Sequence, residues 1–144
     1  MANPLYDTLF GRHAGRAAPF LHLADGASLS YDAFLRLTAR YAHAFREAGL
    51  QPGDRLAAQI AKSPEALGVY AACVQAGIIF LPLNTGYTAD ELAYFVTDSG
   101  AKCLLCDSAN AGARRRCHAC LDTCGRGVCH ASVGICFGRT KGVP

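Results

Sequence analysis

The chain has 144 residues, which sets a prior of one domain, and its 51% hydrophobic and 17% charged content excludes a disordered polypeptide. A net charge of +3 is too small to imply nucleic-acid binding. Asp7 precedes any basic residue and no apolar segment follows, so no export signal is expected and a cytoplasmic location is the default.

The averages conceal two unlike pieces. Residues 1–108 carry 8 Lys+Arg against 10 Asp+Glu and three cysteines, Cys73, Cys103 and Cys106. Residues 109–144 carry 6 Lys+Arg against the single acid Asp122, with five cysteines, one leucine (Leu121) and one aromatic (Phe137). The basicity therefore belongs to the second piece alone.

The first piece alternates strands and helices. Asp25-Gly26 between Phe20–Leu23 and Ser28–Ser30 predicts a small β-hairpin. Ser30 then caps a helix to about Ala48, with Phe34, Leu37, Tyr41 and Phe45 on one face and Arg36, Arg40, His43 and Glu47 on the other. Gly49 and Pro52 stop it. A short strand, Leu56–Ile60, follows Asp54-Arg55.

Ser63-Pro64-Glu65 is an N-cap, a first-turn proline and a first-turn acid. They open a helix that directs Leu67, Tyr70, Ala71 and Val74 inward and ends at Gly77. Ile78–Leu83 is a continuous apolar run, the pattern of a parallel strand buried on both faces. Thr88 to Glu91 forms a capping box for a third helix, with Leu92, Phe95 and Val96 on its apolar side. Cys103–Cys106 is the last strand.

The βαβαβ order predicts an α/β fold, an open, mostly parallel sheet with flanking helices. Ala66 to Ala89 is uncharged and long enough to span a bilayer. Gln75, Gly77, Pro82, Asn84, Thr85 and Gly86 interrupt it, however, and a buried helix feeding a strand accounts for the same residues without a membrane span.

Three motifs occur in order. Leu29-Ser30-Tyr31-Asp32-Ala33-Phe34 resembles L-[ST]-Y-x-x-[LF]. Gly49-Leu50-Gln51-Pro52-Gly53-Asp54-Arg55 resembles G-L-x-x-G-D-R. Gln75-Ala76-Gly77-Ile78-Ile79-Phe80-Leu81-Pro82-Leu83-Asn84 resembles x-A-G-x-x-x-x-P-L-[ND]. Together they resemble the amino-terminal region of the AMP-forming acyl-CoA synthetases, the adenylate-forming superfamily. Ala58–Leu67, Leu81–Thr88, Glu91–Phe95 and Cys106-Asp107 are most similar to its malonyl-CoA synthetase branch.

The resemblance covers residues 1–108, expected to be a partial amino-terminal subdomain of the family's large domain. It implies ATP, Mg2+ and coenzyme A as cofactors of the parent enzymes and a small carboxylate, malonate, as substrate, with no nucleic-acid partner. The chemistry needs a phosphate cradle, a cation and a lysine near developing negative charge. In the family these follow the matched region, so no catalytic residue is assigned here, and the chain alone is expected to be inactive and to bind none of the cofactors. Asn84 and Thr85 are given a loop-ordering role only.

In the second piece, expected to be disordered, Cys117, Cys120, Cys124, Cys129 and Cys136 with His118 and His130 suggest metal ligands. Cys103-x-x-Cys106 and Cys117-x-x-Cys120 mimic paired zinc knuckles. Residues three apart on a strand point to opposite faces, which argues against Cys103 and Cys106 holding one ion. No metal site is therefore assigned. The alternative function is a non-catalytic zinc-binding or interaction module on this cysteine-rich tail. A shifted reading frame in a GC-rich gene accounts for the Arg, Ala, Gly and Cys content, and a natural alternative terminus remains a further reading.

Gly138-Arg139-Thr140-Lys141-Gly142 resembles the end of the family's phosphate loop, T-G-x-x-K-G. The preceding Gly134-Ile135-Cys136-Phe137 lacks the hydroxyls such a loop needs, so Lys141 is given no role.

Overall fold

Four helices begin where a short polar side chain, Asn3, Ser30, Ser63 or Thr88, accepts hydrogen bonds from the first turn. The structure, a computed structural model, describes residues 3–107 and the backbone of 135–139. Ser30 Oγ accepts from Ala33 N–H at 3.2 Å and Ser63 Oγ from Ala66 N–H at 3.1 Å. At Thr88 the capping box is complete, because the Glu91 carboxylate also accepts from the Thr88 backbone at 2.8 Å. The chain divides into two compact units, Met1–Gln51 with Lys62–Gly77, and Pro52–Ala61 with Ile78–Pro144.

The first unit holds helix α1 (Pro4–Leu9), a 3-10 turn (Gly11–His13), the antiparallel pair β1 (Pro19–His22) and β2 (Ser28–Ser30), and helices α2 (Tyr31–Glu47) and α3 (Pro64–Ala76). On α2 the buried face is Phe34, Thr38, Tyr41, Ala42 and Phe45, while Arg36, Arg40, His43 and Glu47 are exposed. The aromatic side chains form a continuous cluster. The Phe34 ring lies 4.7 Å from Phe20 and 5.9 Å from Phe10, and Phe20 lies 4.7 Å from Tyr31. Arg16 covers Tyr31, with its guanidinium 4.9 Å from the ring centre.

Helix α3 does not present the face that its periodicity predicts. Gly68, Val69, Ala71, Ala72 and Cys73 are buried, whereas Leu67, Tyr70 and Val74 are half-buried at the flanks. The cause is close approach to α2. A Cβ built on Gly68 would stand 3.1 Å from Tyr41 Cε2 and 3.3 Å from Leu37 Cδ2. Small residues admit the neighbouring helix, and the larger ones splay to either side. The helix ends at Gly77, whose φ of 71° is the left-handed cap that its sequence position anticipates.

Tyr41 carries a polar atom into this interface. Its hydroxyl is buried and has no hydrogen-bond partner among the described residues. Burial first, then the nearby Glu65 carboxylate, push the phenol up to about 12, against a smaller downward pull from Arg40. A raised acid favours the protonated fold, so this contribution is complete below pH 10 and is lost as pH rises toward 12. Tyr41→Phe should leave neutral-pH stability unchanged or raise it by up to about 1 kcal/mol. It should also flatten the alkaline loss of stability, measured by urea unfolding across that pH range.

The second unit contains a four-stranded sheet. Strands β3 (Arg55–Gln59), β4 (Ile79–Pro82), β5 (Cys103–Asp107) and β6 (Ile135–Arg139) lie in the order β4-β3-β5-β6. The first three are parallel, and β6 pairs antiparallel with β5. Helix α4 (Ala89–Ser99) lays Leu92 and Val96 against Ala57, Ala101 and Leu104, with Leu81 and Leu83 at the margin. Of the second piece of the sequence, only Ile135–Arg139 is described, as a strand that its composition does not announce. The remainder lies outside the described residues.

The run Ile78–Leu83 is not a strand buried on both faces. It forms the end of the described sheet, and Ile79 is 47% exposed. The central strand is β3, where Leu56, Ala57, Ala58 and Gln59 are all buried. Hydropathy reports side chains and not neighbours, so the more apolar strand occupies the less enclosed place. The ladder suits an edge. Ile79 N–H donates to Asp54 and Leu83 N–H to Ala58, both at 2.8 Å, so alternate residues face β3 and the donorless nitrogen of Pro82 points away.

Candidate functional site

In open parallel sheets, ligands bind beyond the carboxyl ends of the strands. Here β3 ends at Gln59, and β4 runs into the loop 83–88. The Gln59 side chain is fully buried, and its Nε2 donates to the carbonyls of Asn84, at 2.8 Å, and Tyr87, at 3.1 Å. Asn84 Oδ1 accepts from Gly86 N–H at 2.9 Å, and Tyr87 N–H donates to the Asn84 carbonyl at 3.1 Å. The Tyr87 ring stacks on Phe95 at 4.9 Å. Hydrogen bonds from the Thr88 backbone and hydroxyl hold the Glu91 carboxyl below its ordinary range. The loop is thus fixed to strand, to helix and to itself.

Asn84 orders that loop, as its sequence context implies, and Thr85 is exposed within it. Gln59 is the residue that periodicity does not single out. Its signal is one carboxamide in an otherwise apolar strand, a polar group that burial obliges to find partners. Gln59→Leu keeps the volume and strips the donor from the carbonyls of Asn84 and Tyr87. It should cost about 1–3 kcal/mol by urea unfolding and speed hydrogen exchange in residues 83–88.

The G-D-R turn works at the opposite ends of the strands. The Asp54 carboxylate meets Lys102 Nζ at 2.7 Å, and the Lys102 backbone N–H donates to the Arg55 carbonyl at 2.9 Å. Both contacts join the starts of β3 and β5. In the L-S-Y-D-A-F segment, Ser30 caps α2, and Tyr31 and Phe34 enter the aromatic cluster. The residues of these two motifs cap a helix, join strand starts and pack the aromatic cluster.

A polyphosphate needs converging amide donors and cations. The loop 83–88 contains no lysine or arginine, and two of its carbonyls are engaged by Gln59. Gly138 and Arg139 lie in the β6 ladder opposite Leu104 and Cys103, while Thr140, Lys141 and Gly142 lie outside the described residues. The loop 83–88 does not supply the converging donors and cations that ATP with its magnesium needs.

Cys103 and Cys106 are on strand β5, three residues apart. Among the described residues no three His, Cys, Asp or Glu side chains cluster as metal ligands. Cys117, Cys120, Cys124, Cys129, His118 and His130 lie outside the described residues, as does the Cys136 side chain. Among the described residues no helix is long and apolar enough to cross a membrane.

The chain is similar to apo MatB from Rhodopseudomonas palustris, with 38% identity and a TM-score of 0.72, covering 81% of this chain and 24% of that one. The ATP-bound form of the same MatB matches at 40% identity and a TM-score of 0.72, over 78% and 22% of the two chains. A feruloyl-CoA synthase from Amycolatopsis sp is 41% identical over 80 residues, 56% of this chain and 16% of the relative. This chain thus spans about a quarter or less of the length of these three proteins. The family match covers residues 10–134, running past Ser108, where the resemblance is expected to stop, and on it the chain belongs to the AMP-binding enzyme family.

Proposed function

We propose that residues 1–108 are the amino-terminal scaffold of an AMP-forming acid–CoA ligase whose acid is malonate, and that this chain alone makes no adenylate. The observation that carries the reading is the β4-β3-β5 sheet. The G-D-R and A-G-x-x-x-x-P-L-N segments lead into or form two of its strands, in a region similar to MatB at 38% identity. In such a ligase ATP activates the carboxylate as an acyl-adenylate with release of pyrophosphate, and coenzyme A then takes the acyl group. This chain's own part is positional. Gln59 sets the loop that leaves β4, and Asp54 sets the spacing of β3 and β5. The composition of residues 109–144 supports a frame-shifted or otherwise non-native continuation, which the coding DNA past codon 108 would reveal.

Two experiments test the reading. Incubated with malonate, ATP, Mg2+ and coenzyme A, the chain should give no malonyl-CoA above a blank. Turnover abolished by a substitution in this chain would overturn the proposed inactivity. Exchanging the matched amino-terminal region of Rhodopseudomonas palustris MatB for residues 3–107 should leave a ligase that still makes malonyl-CoA. A folded but inactive chimera would refute the scaffold assignment.

A further inference from the structure

Cys106 of β5 and Cys136 of β6 stand directly opposite each other in the antiparallel ladder. Opposed residues in such a ladder hold their Cα atoms about 4.5 or 5.5 Å apart. Disulfides accept Cα separations of about 4.4–6.8 Å, a window that both kinds of opposed pair meet. Cys103, the other cysteine of β5, has Arg139 as its opposite. Cys106 is a buried thiol whose register partner on the other side is Gln59 of β3. Gln59, Cys106 and Cys136 therefore form one row across three strands, at the end of the sheet where Gln59 holds the loop 83–88.

We propose that Cys106 and Cys136 are a modification site, closing to a reversible disulfide that fastens β6 to β5 when a small disulfide oxidant is present. One of the two thiolates attacks a sulfur of the oxidant, such as glutathione disulfide, releasing one thiol and leaving a mixed disulfide. The other cysteine loses its proton, attacks the protein sulfur of that mixed disulfide and expels the second thiol. The protein pair loses two electrons and two protons, and the oxidant is reduced to two thiols. The site takes thiols and disulfides as its reaction partners, and strong reductant opens it.

Sequence spacing alone predicts a different pairing, which makes the proposal testable. Loop closure scales with the three-halves power of length, so an unstructured chain would join Cys106 to Cys117 roughly fourfold more readily than to Cys136. The reduced full chain is treated with glutathione disulfide, alkylated, digested without reduction and mapped by mass spectrometry. Cys106–Cys136 should be the main linkage at Cys106. Cys136→Ser should abolish it, Cys117→Ser should leave it, and denaturing urea should move Cys106 from Cys136 to cysteines nearer in sequence, Cys103 and Cys117 among them. A native linkage chiefly to Cys117 would overturn the proposal. So would an undiminished disulfide yield at Cys106 in Cys136→Ser, or a disulfide at Cys106 that forms only in urea.

Discussion

Phe34→Ala should destabilise the protein by about 3–5 kcal/mol, a third or more of the whole stability of a typical domain. Phe34 is 1% exposed and meets two rings, Phe20 from the hairpin and Phe10 from the segment after α1. Its loss opens a cavity among parts that local hydrogen bonds alone hold weakly. The urea midpoint should fall sharply, with near-ultraviolet dichroism lost in the same transition. Arg40→Ala on the exposed face of the same helix should move stability by no more than about 0.5 kcal/mol. Equal effects of the two substitutions would refute the assigned helix orientation.

Gly68→Val should cost about 3 kcal/mol, from overpacking in place of a cavity. Even a first carbon at this position stands 3.1 Å from the Tyr41 ring and 3.3 Å from Leu37, and valine adds two methyl groups beyond it. Gly68→Ala is the informative companion. Alanine gains about 1 kcal/mol of helix propensity over glycine, which offsets a contact needing a few tenths of an ångström from its neighbours. It should stay within about 1 kcal/mol of the parent by thermal and urea unfolding. A valine variant as stable as the alanine one would mean that the two helices do not meet at Gly68.

The features legible in the sequence are those decided within a few residues. Ser30, Ser63 and Thr88 each cap the helix they announce, and Gly77 ends one. The strand at Cys103 and the exposed stripe of Arg36, Arg40, His43 and Glu47 follow from equally short patterns. What escapes is non-local. The rank of β3 and β4 in the sheet depends on pairing partners, and nothing in Ile78–Leu83 reveals that only one side is occupied among the described strands. The buried face of α3 depends on Gly68 meeting Tyr41, where size outweighs hydropathy. Helix α1 carried a usable local signal in Asn3-Pro4, an N-cap followed by a proline at the first helical position. Of the candidate site, the Asn84 turn was legible, but the Gln59 carboxamide 25 residues away was not. Strand β6 is visible only through its register on β5.

Pro82 has a consequence for how this protein keeps company with itself. The open edge of a sheet is a template on which further copies can stack into fibres, each lending its amides to the next. Growth along the outer side of β4 would require a donor from position 82, where the proline ring leaves none to give. The four-residue length of β4 offers little room to shift register around that gap. Along this side of β4, the hydrogen that Pro82 lacks is one obstacle to such growth.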